Sequence, residues 1–248
     1  MNSIEIISRQ PHLFSALLAA VSFLAAAVFF KGGKAKIAGN NTQSRETLQD
    51  THKQNMLKSR AEHRQRVKKA RDSRGVVIVN TGDGKGKSTA AFGTAFRAVG
   101  YGMKVGIVQF IKGKGKTGEQ ESFGQFENIT HVISGDGFTW DTQDTARDIE
   151  SAMKGWDTVL EMIEKARKDV NSYQLLVLDE INIAMNLGYL PVEAVADTLA
   201  SKPEHLSIIL TGRNAPKEII EIADTVTEMT LVNHAFENGI QARKGIEF

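Results

Sequence analysis

Residues 82-GDGKGKST-89 follow an apolar run, 76-VVIVN-80, and lead into an alanine-rich stretch. Gly82, Gly84 and Gly86 let a polyanion approach the main chain closely. Lys85 and Lys87 supply point charges, Ser88 offers a hydroxyl to Mg²⁺, and Asp83 and Thr89 complete the loop. Gly86-Lys87-Ser88 matches the end of the Walker A pattern, whereas the first glycine of that pattern falls on Thr81, so the match is a variant. Strand, loop and helix in that order distinguish it from a glycine turn that merely starts a helix. A second half stands at 175-LLVLDE-180, where an apolar strand ends in Asp179 and Glu180. Mg²⁺ takes oxygen ligands and accompanies triphosphates, which makes both carboxylates metal candidates and leaves open which one touches it. A third stretch, 135-GDGFTWDTQD-144, has no role in generic phosphate binding. Phe138 and Trp140 alternate there around a threonine, either as a plug over a sheet edge or as an apolar lid for a flat ligand.

The elements that must position these groups alternate after Arg74. Strands are expected at Val76–Asn80, Lys104–Phe110, Leu175–Leu178 and Leu206–Thr211, with weaker ones at Thr130–Ile133 and Thr225–Thr230. Helices are expected at Ser88–Val99, Ala146–Asp169, Pro191–Ser201 and Pro216–Ala223. Apolar strands separated by amphipathic helices predict a doubly wound α/β domain over 74–248, its mostly parallel sheet carrying the ligand at the C-terminal strand ends.

The first 73 residues differ in kind. Residues 13-LFSALLAAVSFLAAAVFF-30 carry no charge and precede Lys31, Lys34 and Lys36. Eighteen such residues sit at the lower limit for crossing a bilayer, and the lysines would keep the body cytoplasmic. A membrane contact through 13–30 and an extension upstream of the true start are the two readings, with a secretory signal as rival. Residues 1–45 are taken as hydrophobic segment and linker, and 46–73 as a helix polar nearly all round that must lie on something else. Residues 1–74 hold 14 Lys+Arg against 5 Asp+Glu, leaving 17 against 24 in the remainder. Such a basic arm can fold on an acidic body or on a partner copy's; nucleic acid is not the expected partner. The absence of cysteine excludes disulfides, thiolate nucleophiles and thiolate metal sites.

Taken together, these motifs resemble the P-loop type of ATP-dependent corrinoid adenosyltransferases. GDGKGKSTAAFGTAFRAVGYGMKVGIVQFIKG looks like that family's loop and following strand, GFTWDTQ like its aromatic signature and LLVLDEINIAMNLGYLP like its acidic strand. TGRNAPKEIIEIADTVTEM and HAFENGIQARKGIEF are similar to its C-terminal portion, so the resemblance runs from about Met56 to Phe248. It implies a fold of P-loop NTPase type with an N-terminal helical extension. It also implies transfer of the 5′-deoxyadenosyl group of ATP to the Co(I) centre of a corrinoid, with triphosphate as leaving group. The resemblance further implies that Gly82 to Ser88 cradle the triphosphate, that Lys85 and Lys87 stabilise its charge, that Ser88 and Glu180 assist Mg²⁺, and that Arg97 helps hold the nucleotide. Phe138 and Trp140 would lie on the lower corrin face. A homodimer is implied, with the polar helix over the partner's site, and a reduced flavoprotein as electron donor. Asp83 stands where the family usually has Asn, setting a carboxylate near phosphates that Lys85 or Mg²⁺ would offset, and Ser88 stands for the more usual Thr. The competing reading is a membrane-tethered P-loop ATPase or kinase, told apart by its products; a third is a corrinoid or nucleotide carrier without turnover.

Overall fold

The computed structural model describes residues 37–111, 117–134 and 145–247. The chain divides into two units, 1–72 and 73–248. In the first, α1 (Ile37–Lys69) is a single helix of 33 residues, about 50 Å long at 1.5 Å per residue. It begins inside the stretch read above as linker, because Gln, Arg, Glu, Leu, Lys and Ala are strong helix formers and no proline interrupts them. Arg66, Lys68 and Lys69 in its last turn suit the negative end of the helix dipole. Leu48, Met56, Leu57 and Val67 are all exposed on it, in keeping with the missing apolar face.

The second unit is built on six strands: β1 (Val77–Thr81), β2 (Val105–Gln109), β3 (Ile129–Ile133), β4 (Leu175–Asp179), β5 (Ser207–Thr211) and β6 (Thr225–Glu228). They form one sheet in the order β3-β2-β4-β5-β1-β6, with every neighbouring pair parallel. Its helices are α2 (Lys87–Gly100), α3 (Gly118–Phe123), α4 (Thr145–Lys168), α5 (Ile181–Asn186), α6 (Val192–Ala200) and α7 (Lys217–Ile222), followed by a 3₁₀ turn at Ala235–Asn238. The doubly wound expectation and the strand positions hold to within a few residues. The three short helical elements, α3, α5 and the 3₁₀ turn, had no expectation, since a turn or two shows no period.

Strand residues alternate between two cores. Val105, Ile107, Leu175, Val177 and Ile209 pack with Ala91, Phe92, Ala95 and Ala98 of α2 and Phe123 of α3. Their neighbours Val108, Leu176, Leu178, Ile208 and Leu210 pack on the other face with Ala152, Trp156, Val159, Met162, Ile163 and Ala166 of α4 and Val195 and Leu199 of α6. Burial on both faces explains the unbroken apolar runs of β2, β4 and β5. Each such Val, Leu or Ile contributes roughly 1.5–3 kcal/mol, enough for the sheet to hold polar residues at one edge.

Arg74, just ahead of β1, ties that strand's start to the start of β6: its guanidinium donates two hydrogen bonds to Asp224, at 3.0 and 2.5 Å. Val77 N–H donates to the same carboxylate at 2.9 Å. These charge-assisted bonds hold the Asp224 carboxyl at about 2, below its ordinary 3.8.

Candidate functional site

The buried polar side chains of the sheet fall on one row at its C-terminal edge. Gln109 stands beside Asp179 in register, and Asn80 stands beside Thr211. Gln109, Asp179 and Thr211 are all at most 1% exposed. Such groups are tolerated only when hydrogen-bonded. Gln109 Nε2 donates to Asp179 Oδ2 at 2.7 Å, and Thr211 Oγ1 donates to Asp179 Oδ1 at 2.8 Å. Asn80 Nδ2 donates to the Lys87 carbonyl at 3.3 Å, joining β1 to the first residue of α2.

Between β1 and α2 lies the glycine loop. Gly82 and Gly86 adopt φ of 91° and 106°, a left-handed region that side chains other than glycine enter at a cost. A Cβ on Gly82 or Gly84 would also come within 2.5 or 2.7 Å of the Met229 carbonyl, so the chain after β6 presses on the loop's backbone. Gly84 N–H donates to that carbonyl at 2.6 Å. Gly86 caps α2 without a side-chain hydrogen bond, and no acidic residue stands in the helix's first turn. The positive end of the helix dipole therefore faces the loop unneutralised, which suits an anion.

Lys87 is 9% exposed, and its Nζ donates to the Gly84 carbonyl at 2.7 Å, folding back over the loop. Burial lowers its pKa from the usual lysine range; Glu180 opposes the shift, Arg213 adds to it and Asp83 opposes it. These couplings bring Lys87, Glu180, Arg213 and Asp83 into one electrostatic neighbourhood. Ser88 is half-buried on the first turn of α2, while Asp83, Lys85 and Thr89 are exposed.

The structure separates the two acidic residues that the sequence left equivalent. Both oxygens of Asp179 already accept hydrogen bonds from Gln109 and Thr211. Glu180 follows it at φ 64°, an uncommon conformation for a residue with a side chain. Its N–H is held by Thr211 Oγ1 at 2.9 Å. The turn takes Glu180 off the strand line, and its charge is the one that acts most on Lys87. Such conformations are sustained only where the surroundings over-determine them, and they cluster at working sites. Hard oxygen donors of this kind, Glu180 and the Ser88 hydroxyl, fit Mg²⁺. Among the described residues no group of three or more His, Cys, Asp or Glu could hold a metal ion. Mg²⁺ held beside a nucleotide uses one or two carboxylates and takes its other ligands from phosphate and water.

Two further charges were not foreseen. Arg213, in the turn after β5, has its Nε 3.7 Å from Asp83 Oδ1. Lys85 pairs with Glu247 near the C-terminus. Arg213 was visible as a cation soon after a buried apolar strand, as Lys112 is after another, and Gln109 and Thr211 as polar residues ending such strands. Glu247 had no local signal.

Arg97 is not brought to the loop. It stands ten residues beyond Lys87 on α2, about 15 Å along the axis. There it lines a separate cavity of about 490 Å³, with Arg74, Tyr101 and His205, that includes starting residues of the strands. Helical rise therefore removes it from the phosphates of its own chain. Phe138 and Trp140 lie outside the described residues.

The model of the family "ATP:corrinoid adenosyltransferase BtuR/CobO/CobP" matches residues 73–248. A corrinoid adenosyltransferase of Pseudomonas aeruginosa is 47% identical over 198 residues, covering 79% of this chain and 95% of its own. One of Sinorhizobium is 44% identical, over 79% of this chain and 91% of its own. The corrinoid adenosyltransferase CobA of Salmonella typhimurium is 42% identical, over 74% of this chain and 90% of its own.

Proposed function

The chain belongs to the ATP:corrinoid adenosyltransferase family, and from that premise we propose how its own residues carry out the transfer. The enzyme moves the 5′-deoxyadenosyl group of ATP to a corrinoid. The electron pair of Co(I) attacks C5′ of the ribose and forms the Co–C bond. The C5′–O bond breaks, and its electrons leave with inorganic triphosphate. The nucleophile comes with the substrate, so no serine, cysteine or histidine need be activated. What remains for the protein is alignment of cobalt with C5′ and stabilisation of charge on the departing triphosphate.

The observation that carries this reading is Lys87, buried at the unneutralised N-terminus of α2, with Glu180 close enough to oppose the lowering of its pKa. The loop amides and Lys87 hold the triphosphate in place, and Lys85 and Arg213 add positive charge at its rim. Ser88 and Glu180 would hold Mg²⁺, whose contribution is to neutralise phosphate charge; Asp179 serves through its hydrogen bonds. Phe138 and Trp140 are assigned to the lower corrin face, where an apolar surface excludes the axial ligand and eases reduction to Co(I). A reduced flavoprotein is the proposed electron donor.

We further propose a cytoplasmic homodimer in which α1 of one copy covers the site of the other. Its support is a 33-residue helix with exposed Leu48, Met56, Leu57 and Val67, and an excess of basic residues where the catalytic unit has an excess of acidic ones. Membrane contact through residues 13–30 is the companion proposal; among the described residues no helix is long and apolar enough to cross a membrane.

The test is anaerobic incubation of the full chain with Mg-ATP and chemically reduced cob(I)alamin, following the corrinoid spectrum and the polyphosphate products. Light-sensitive adenosylcobalamin with stoichiometric triphosphate is expected. ADP and phosphate without a Co–C bond would place the protein among the ATPases or kinases.

A further inference from the structure

The hydrogen bonds around Asp179 do not stop at β5. On the other side they continue through Gln109 to the edge strand, where His131 Nε2 lies 2.8 Å from Gln109 Oε1. The direction of every bond in this chain follows from chemistry. Both Asp179 oxygens accept, one from the Gln109 NH₂ and one from Thr211, so the Gln109 carbonyl oxygen is turned toward His131. His131 Nε2 therefore carries a proton and donates. On the far side Thr211 donates its hydroxyl to Asp179 and uses its oxygen to accept the N–H of Glu180. The result is one connected network across β3, β2, β4 and β5, with Asp179 as its sink and the backbone of Glu180 as its last member.

Each part is held from outside as well. The His131 ring meets the edge of Phe123, with centroids 5.1 Å apart and planes at 64°. Gln109 and Thr211 are fully enclosed, and Phe110 N–H donates to the Asp179 carbonyl at 3.0 Å. A buried network with all of its members satisfied is rigid, and loss of one member leaves a neighbour with an unmet bond in a low-dielectric place. The residue being fixed is the one that most needs fixing: Glu180 sits at φ 64° and would relax toward an ordinary strand or helix conformation if Thr211 could turn.

We propose that His131 and Gln109 are positioning residues for Glu180, acting through Asp179 and Thr211 to hold its carboxylate in the pose that serves the metal. The proposal rests on the reading of Glu180 as a Mg²⁺ ligand. Neither residue touches substrate, and both act on the metal requirement rather than on ATP itself. Outer groups that orient a metal ligand typically change metal affinity by about 10–100-fold when removed.

The experiment measures the Mg²⁺ concentration giving half-maximal adenosyl transfer, and ATP binding in EDTA by calorimetry, for the full-length wild type and five variants. Gln109→Leu should raise the Mg²⁺ requirement about tenfold and His131→Ala about threefold, while His131→Gln, which restores a donor, returns it close to wild type. ATP binding without metal should stay within about twofold for Gln109→Leu, His131→Ala and His131→Gln. Glu180→Gln should raise the requirement at least as far as Gln109→Leu, and the double variant Gln109→Leu/Glu180→Gln should rise no further, because both act through one carboxylate. If Glu180→Gln leaves the requirement unchanged, the metal reading of Glu180 falls and the proposal with it. If Glu180→Gln raises it but Gln109→Leu and His131→Ala do not, or if the double variant is fully additive, the network is structural only and the proposal alone is overturned. Should Gln109→Leu fail to fold, the His131 pair decides on the same criteria.

Discussion

Replacing Asp224 by Asn tests how the starts of the neighbouring strands β1 and β6 are tied. Asp224 takes two hydrogen bonds from Arg74 and one from Val77 N–H, and its carboxyl is held at about 2 against an ordinary 3.8. That difference corresponds to about 2 kcal/mol at 1.36 kcal/mol per unit. The Arg74 side chain is 44% exposed, so solvent screening reduces the expected value to about 1–2 kcal/mol. The depressed folded value fixes the sign. The contribution is complete above pH 4–5, begins to fall below the unfolded value near 3.8, is about half gone by pH 3, and vanishes below about 2. Urea unfolding of wild type and Asp224→Asn from pH 7 to pH 3 should give a stability gap of about 1–2 kcal/mol that narrows by half at the acid end. Asn keeps an acceptor for Val77 N–H, so the gap reports the ion pair. A gap that stays constant with pH, or widens toward acid, would refute the reasoning.

Lys87→Ala should lower kcat/KM about 10²–10³-fold by removing a buried cation from the leaving group; wild-type turnover at saturating ATP would rule the assignment out. Asp83→Asn should lower KM for ATP about two- to fivefold with kcat little changed, since Asp83 is 75% exposed and its pair with Arg213 is worth at most about 1 kcal/mol. An unchanged or raised KM in steady-state assays would count against repulsion between Asp83 and the phosphates. Trp140→Ala should spare ATP binding and reduce activity most when Co(II) must be reduced on the enzyme; equal loss with pre-reduced Co(I) would remove the lid role.

The sequence announced the elements whose residues are buried on two faces and obscured those that are not. β2, β4 and β5 read as unbroken apolar runs because α2 and α4 cover both sides of them. β3 and β6 gave weaker signals because each is an edge strand, with half-buried or exposed residues throughout. The loop was legible from its glycines and lysines, since close approach and charge demand those types locally. The difference between Asp179 and Glu180 was not, because it depends on Gln109, 70 residues away, and Thr211, 32 away. Arg97 came from the resemblance alone; ten residues beyond Lys87 on α2, it stands about 15 Å along the axis from the loop.

Among the described residues, Lys85, Arg213 and Lys87 around the loop each have a partner within the chain, and the quality of those partners ranks them. Lys85 is paired with Glu247 and Arg213 lies near Asp83, both with side chains more than half exposed. Exposed pairs of this kind contribute at most about 1 kcal/mol each. Their acids keep the rim close to neutral without holding the cations tightly. A triphosphate brings several charges at once and wins both partners at little cost. Lys87 differs: burial has already lowered its affinity for protons, and Glu180 is the charge that most opposes the shift. On the role proposed for Lys87, negative charge growing on the leaving triphosphate would offset that desolvation, and the lysine would gain more in the transition state than with bound ATP. On the proposed assignment the rim cations would strengthen substrate and transition state alike and the buried lysine would favour the latter; only differential stabilisation of that kind accelerates the chemical step.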